Sequence, residues 1–288
     1  MKARLHVGDT SLSQSTGDDV PRGVDTILGS SFHELVRHRF GSSLGAVTRA
    51  AHAAGEGAQG VWTASVFAPP SNLTTANPQE LFVIERNVPP TTISSPRFTL
   101  QRQYIPVFGN IKTMAIFIDG ACSNNGAPAS RGRTARGGWA FVFRSAGEGG
   151  VVSGALELEG PDGTEHQHTS NRAELRAAIA ALQFRAWDNE GWGRVVLITD
   201  SMYVGVNATG QMRRWAERGW MTASGMPVKN QDLWKALSDC IRELARCGCE
   251  VSFWTVPRRW NAEADAAAKA AVDGSEQQEY TIVYGVQV

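Results

Sequence analysis

Ala115-Ile116-Phe117-Ile118-Asp119-Gly120 and Val195-Val196-Leu197-Ile198-Thr199-Asp200 decide the fold. Each is a short apolar run of the kind a buried strand shows, and each ends on an aspartate. In open α/β sheets the carboxyl ends of strands are where ligands bind. Outward from these two runs, Gly138–Phe143 and Val151–Leu158 read as further strands, and Glu250–Val256 as a fifth. Asn171–Ala186 places apolar side chains at 175, 178, 179, 182 and 186, which is helical spacing. Tyr203–Arg218, Asp232–Cys247 and Ala262–Val272 complete the helices. Three strands in succession, then alternating helices and strands, predict a mixed five-stranded α/β sheet with helices on both faces.

The chain of 288 residues is 42% apolar, enough to bury a core and exclude wholesale disorder. No apolar run reaches the roughly 18 residues of a membrane helix, and no signal-peptide pattern opens the chain, so an intracellular protein of nucleus, cytoplasm or mitochondrion is expected. Four scattered cysteines do not make a disulfide framework. Twenty-eight basic residues balance 28 acidic ones, which excludes a globally basic coat but allows a local basic groove. Residues 1–110 hold eight of the 12 prolines but one of the nine tryptophans. Asp9–Asp19, Pro69–Pro78 and Pro89–Pro96 read as connectors, Phe32–Ala54 as weakly amphipathic, and Trp62–Phe67 and Leu81–Ile84 as short strands. Three regions are expected: a largely irregular extension over 1–110, a compact domain over 111–275, and a loose tail over 276–288, with a chain cut to residues 111–288 still able to fold.

Four acids stand out, and each has an ordinary explanation. Asp119 and Asp200 suit turns or helix caps. Asn171 with Glu174 three residues later matches a capping box. Asp265 falls in the first turn of the last helix, where it suits the helix dipole.

Taken together, the motifs resemble a known family. Phe117-Ile-Asp-Gly-Ala-Cys-Ser-Asn-Asn-Gly126 followed by Gly137-Gly-Trp-Ala-Phe-Val-Phe143 is similar to the opening hairpin of type-1 ribonuclease H. Thr169-Ser-Asn-Arg-Ala-Glu-Leu175, Ile198-Thr-Asp-Ser-Met-Tyr-Val204, Lys229-Asn-Gln-Asp-Leu-Trp234 and Asn261-Ala-Glu-Ala-Asp265 resemble its later motifs, in order, from residue 113 to about 273. The resemblance implies a catalytic and metal-binding quartet of Asp119, Glu174, Asp200 and Asp265 holding two Mg2+ ions, with Mn2+ a possible substitute. It also implies a monomeric endoribonuclease that cuts the RNA strand of RNA–DNA hybrids to 5′-phosphate and 3′-hydroxyl ends. The chemistry agrees: hard divalent cations take oxygen ligands, and a metal pair serves both the attacking and the leaving oxygen.

Asn125, Ser170, Asn171 and Asn230 match family positions that touch the minor groove of the hybrid, where short amides and hydroxyls can read 2′-hydroxyls. Ser201, Tyr203 and Trp215 match contacts to the DNA strand, whereas Trp220 reads as core. The sequence departs from many relatives in lacking a histidine before the last aspartate; Val256-Pro-Arg-Arg-Trp260 stands there instead. Arg258 and Arg259 are therefore expected to grip phosphates. His166-Gln-His168 reads as a solvated loop and the cysteines near 240–249 as packing groups. A catalytically idle nucleic-acid-binding or interaction module on the same fold is the alternative, disfavoured because it has no reason to keep four repelling acids.

Overall fold

The computed structural model describes residues 61–69, 77–84, 102–104, 111–125, 134–144 and 149–285. All of them belong to one compact unit, Ala51–Val288. The expected segments Asp9–Asp19, Phe32–Ala54 and Pro89–Pro96 lie outside the described residues, as does 70–76 of Pro69–Pro78.

In chain order the unit runs β1 (Ser65–Val66), α1 (Pro78–Leu81), β2 (Val83–Ile84), β3 (Arg102–Tyr104), β4 (Thr113–Ser123), β5 (Arg136–Val142) and β6 (Val151–Ala155). It continues with α2 (Ser170–Gln183), β7 (Arg194–Thr199), α3 (Met202–Val206), a π-helical turn (Asn207–Gln211) and α4 (Met212–Glu217). Next come α5 (Gln231–Arg246), β8 (Glu250–Thr255), a 3-10 turn (Arg258–Trp260) and α6 (Ala262–Ala271).

The expected five-stranded mixed sheet is present: β4, β5 and β6 form an antiparallel meander, and β7 and β8 run parallel to β4. Helices cover both faces of the parallel strands, so these need apolar side chains on both sides. That is why Met114–Ile118 and Val195–Ile198 are unbroken apolar runs, all nearly inaccessible to water. Helix α5 buries Leu233, Trp234, Leu237, Ile241 and Leu244, a stripe at helical spacing.

Three features differ from expectation. Among the described residues the sheet has eight strands, because β1 pairs parallel with β8, β2 pairs antiparallel with β3, and β3 pairs antiparallel with the start of β4. Parts of the strands expected at Trp62–Phe67 and Leu81–Ile84 thus join this sheet, as β1 and β2, whereas Leu81 ends α1. Phe67 and Phe82 pack against Trp254 of β8, at ring separations of 5.4 and 6.4 Å. A chain begun at residue 111 lacks these partners. Second, α2 starts one residue earlier than expected, with Thr169 as its cap. The Thr169 hydroxyl accepts the Arg172 N–H, so Asn171 and Glu174 form no capping box. Third, the tail is tied down. Its Tyr280 ring lies 4.6 Å from the Arg176 guanidinium, and the Gly285 N–H donates to the Phe184 carbonyl at 2.7 Å.

Histidine 168 is not solvated either: it is buried, and its Nδ1 accepts the Gly137 N–H at 2.9 Å. Cys240 and Cys249 are buried as expected, whereas Cys247 is exposed. Trp220 is buried. No helix among the described residues is long and apolar enough to cross a membrane.

Candidate active site

The register of the sheet places the first two acids. Pairing between β4 and β7 ends at Phe117 and Ile198, and Asp119 and Asp200 each stand two residues beyond that pair. They therefore share the level at which the two strands part. Asp119 does not end its strand as the sequence suggested, since β4 continues to Ser123 paired only with β5. Gly120 lets α2 approach: a Cβ there would stand 2.1 Å from the Glu174 backbone nitrogen. Only glycine tolerates such contact, and the closeness sets Glu174 beside Asp119. Gly138 does the same for α6, where a Cβ would meet the Ala268 carbonyl at 2.5 Å, and α6 carries Asp265.

Asp119, Glu174 and Asp200 line one open cleft of about 540 Å3, together with Gly120, Cys122, Ser123, Ser170, Arg258, Lys269 and Asp273, and Asp265 is ion-paired to two of these lining residues, Arg258 and Lys269. The environments of the four acids are unequal. Burial, then the negative charge of Asp200, pushes the Asp119 carboxyl from an ordinary 3.8 to about 7. Glu174 is likewise raised to about 7, by burial above all, against a hydroxyl bond from Ser201. Asp265 goes the other way: burial alone would raise it, but Lys269 and Arg258 together hold it below the usual carboxylate range. Lys269 Nζ lies 2.7 Å from Asp265 Oδ2, and Arg258 is ion-paired to Oδ1. Asn261 bridges the site to the sheet, donating from Nδ2 to the Ile118 carbonyl at 2.9 Å and to Asp200 Oδ1 at 3.0 Å. Four carboxylates thus gather here, and burial with the charge of neighbouring acids pushes two of them, Asp119 and Glu174, up to about 7. That donor set suits a hard divalent cation.

The remaining expected residues fall into four groups. Asn125 and Ser170 meet on the rim of the cleft, the Asn125 side-chain oxygen accepting the Ser170 N–H at 3.3 Å, with exposed Asn171 next in α2. Ser201 is buried and caps α3 while donating to Glu174, so it braces an acid rather than facing outward. Tyr203, Trp215 and Asn230 gather around Trp234: the Trp234 ring is 5.6 Å from Tyr203 and 5.5 Å from Trp215, and Asn230 Nδ2 donates to the Tyr203 hydroxyl at 3.2 Å. Arg258 reaches the acids, with Nε 3.9 Å from Asp200, whereas Arg259 lies over its neighbour Trp260 at 5.1 Å. Sequence reasoning gave no role to Asn261 or Lys269. The spacing Asp265 to Lys269, four residues along a helix, signalled the latter.

Residues 111–273 match the ribonuclease H family model. The chain belongs to the ribonuclease H family. It is accordingly a nuclease, and its quartet lies wholly inside the matched region. It is 38% identical over 169 residues to the ribonuclease H of Paracidovorax citrulli, covering 56% of this chain and 94% of that protein. It is 40% identical over 160 residues to that of Halorhodospira halophila, covering 54% and 91%. Among solved structures it is similar to RNase H1 from the halophilic archaeon Halobacterium salinarum NRC-1, at 28% identity, 56% and 98% coverage and a TM-score of 0.33.

Proposed function

We propose that this enzyme cleaves the RNA strand of RNA–DNA hybrids by metal-assisted hydrolysis, leaving 5′-phosphate and 3′-hydroxyl ends. The observation that supports this most is the convergence of Asp119, Glu174 and Asp200 on one open cleft, with Asp265 ion-paired to Arg258 and Lys269 of its lining. The donor set suits two Mg2+ ions, with Mn2+ as a substitute. Bound there, such ions supply an activated water and charge stabilisation for the leaving oxygen.

The chain's own groups do the rest. Asn261 and Ser201 fix the orientation of Asp200 and Glu174 from behind. Asn125, Ser170 and Asn171 form a polar rim where the 2′-hydroxyls of an RNA strand can donate and accept. Tyr203 and Trp215 offer an aromatic face for the DNA strand, with Asn230 beside them. Arg258 lies close enough to the acids to meet a phosphate that enters among them; exposed Arg259 adds charge at the same turn. No histidine lines the cleft among the described residues, so proton transfer to the leaving group falls to water or to a carboxyl of the quartet. Action inside the cell as a monomer completes the proposal.

The test is cleavage of one labelled sequence as RNA–DNA hybrid, duplex RNA and duplex DNA, with and without Mg2+, and with the product ends mapped. Cleavage of the hybrid alone, requiring Mg2+ and yielding 5′-phosphates, is the expected result. Equal cleavage of duplex DNA, or none of any substrate with the carboxylates intact, would sink the reading.

A further inference from the structure

Tyr203 and Trp215 are twelve positions apart in one continuous helical stretch. At about 100° per residue an unbroken α-helix would set them roughly 120° apart, on different faces. Yet both rings pack on Trp234, at 5.6 and 5.5 Å. The π-helical turn between them resolves the conflict. There the Met212 N–H donates to the Asn207 carbonyl, five residues back, so the turn absorbs one extra residue. With that residue taken out of the count the separation falls to about 20°, one face. The widened turn is what aligns the two aromatic rings.

A widened turn leaves backbone carbonyls without their usual partners, and these must be satisfied from elsewhere. The Thr209 hydroxyl takes one, donating to the Gly205 carbonyl at 2.8 Å. The second donor comes from far away in the chain. The Ala64 N–H donates to the Ala208 carbonyl at 3.3 Å, and Ala208 is fully buried. Ala64 is held on both sides: the Trp62 N–H donates to the Ser238 hydroxyl of α5 at 2.8 Å, and the Phe67 N–H to the Phe253 carbonyl of β8 at 2.8 Å. Segment Val61–Phe67 thus spans α5, the π turn and β8. None of the four carboxylates lies on these three elements.

We infer that segment Val61–Phe67 is a positioning strap: by supplying the Ala64 N–H to the π turn it fixes the helical register that puts Tyr203 and Trp215 on one substrate-facing surface. This rests on the proposed role of that surface in hybrid binding. The strap acts on substrate grip and leaves the metal-binding acids alone.

The test compares Ala64→Pro, which removes the N–H, with Ala64→Gly, which keeps it, in the full chain. Two things are measured: amide hydrogen exchange over residues 207–212, and steady-state cleavage of an RNA–DNA hybrid. For Ala64→Pro, exchange of the Met212 amide should quicken, and KM should rise roughly fivefold to tenfold, the weight of one lost hydrogen bond, with kcat nearly constant. Ala64→Gly should resemble the parent in both. Should Ala64→Pro fail to fold, Ser238→Ala, which cuts the Trp62 anchor, should show the same split to a smaller degree. Unchanged exchange at 207–212, or a fall in kcat with constant KM, would overturn the inference. Trp215→Ala is the separate control on the surface itself. If it leaves KM unmoved, the substrate reading of that face fails, whatever the exchange data show; if it raises KM while Ala64→Pro does not, the strap fails alone.

Discussion

Helix α2 carries two opposite treatments of buried charge within five residues. Arg172 and Arg176 are almost inaccessible, and each is met by a carboxylate: Asp232 accepts both Arg172 Nη atoms at 3.0 and 2.6 Å, and Glu157 accepts Arg176 Nε and Nη2 at 3.0 and 2.7 Å. The Arg176 guanidinium also lies between the rings of Trp139 and Tyr280. Glu174, between the two arginines in sequence, points to the other side. It meets another acid's charge and a serine hydroxyl, and its carboxyl is driven up to about 7. A helix that gives each of its buried arginines a carboxylate leaves Glu174 without a cation of its own only where something else supplies the charge. The contrast separates a scaffold from a site, since structural charges are ion-paired and functional groups are held perturbed.

Breaking the unpaired side should have the largest effect on activity and little on the fold. Glu174→Gln keeps the shape and the Ser201 contact but removes a charged ligand. Cleavage of a hybrid at saturating Mg2+ should fall by on the order of a thousandfold, the worth of several kcal/mol of charge stabilisation. The metal-free melting temperature should hold or rise, because a repelled buried acid is gone. A rate near that of the parent would remove Glu174 from the metal site.

Breaking the paired side should do the reverse. Arg176→Met leaves Glu157 buried without its partner, which typically costs about 3–5 kcal/mol. Chemical denaturation should show that loss, and the double change Arg176→Met with Glu157→Leu should recover much of it, because two apolar groups leave no orphan charge. A single variant as stable as the parent would mean that the pair is not isolated from water. The rate per folded molecule should change far less than in Glu174→Gln.

How far this division was legible in the sequence varies by residue. Asp119 and Asp200 announced themselves, because a strand buried on both faces must be apolar and an acid after such a run interrupts the pattern. Their shared level follows from strand register, which no single run reveals. Glu174 was ambiguous because Asn171 sits three residues before it; the structure places the cap at Thr169, and hydrogen-bond geometry, not residue type, decides between them. Arg172 and Arg176 look like ordinary helix charges in sequence. Their partners stand 60 and 19 positions away, and only tertiary packing brings Asp232 and Glu157 to them. Strands β1 to β3 were half visible. Two- and three-residue strands at a sheet edge carry too few side chains to show a period, and their evidence is the aromatic surface of Trp254 that Phe67 and Phe82 cover. The π turn left no signal at all, since nothing in Asn207-Ala-Thr-Gly-Gln211 distinguishes a five-residue hydrogen bond from a four-residue one.

The smallest expected effect sharpens the comparison by proton linkage. In the folded chain Asp119 and Glu174 keep protons up to about pH 7, while in the unfolded chain they release them near 3.8 and 4.5. Between those limits the folded state binds more protons, so metal-free stability falls as pH rises through this window. His168 opposes that trend. Burial lowers its pKa from 6.5, so the folded state binds fewer protons there and gains stability as pH rises. The informative quantity is therefore a difference. Melting temperatures of the parent minus those of Glu174→Gln should decline from about pH 5 to about pH 7, because only the parent has that proton to lose. Adding Mg2+ should flatten the decline, as the cation takes the place of the proton on the same oxygens and binds more tightly as pH rises. A difference that stays level across the range, or one that Mg2+ leaves untouched, would place Glu174 with the paired charges on the other side of its helix.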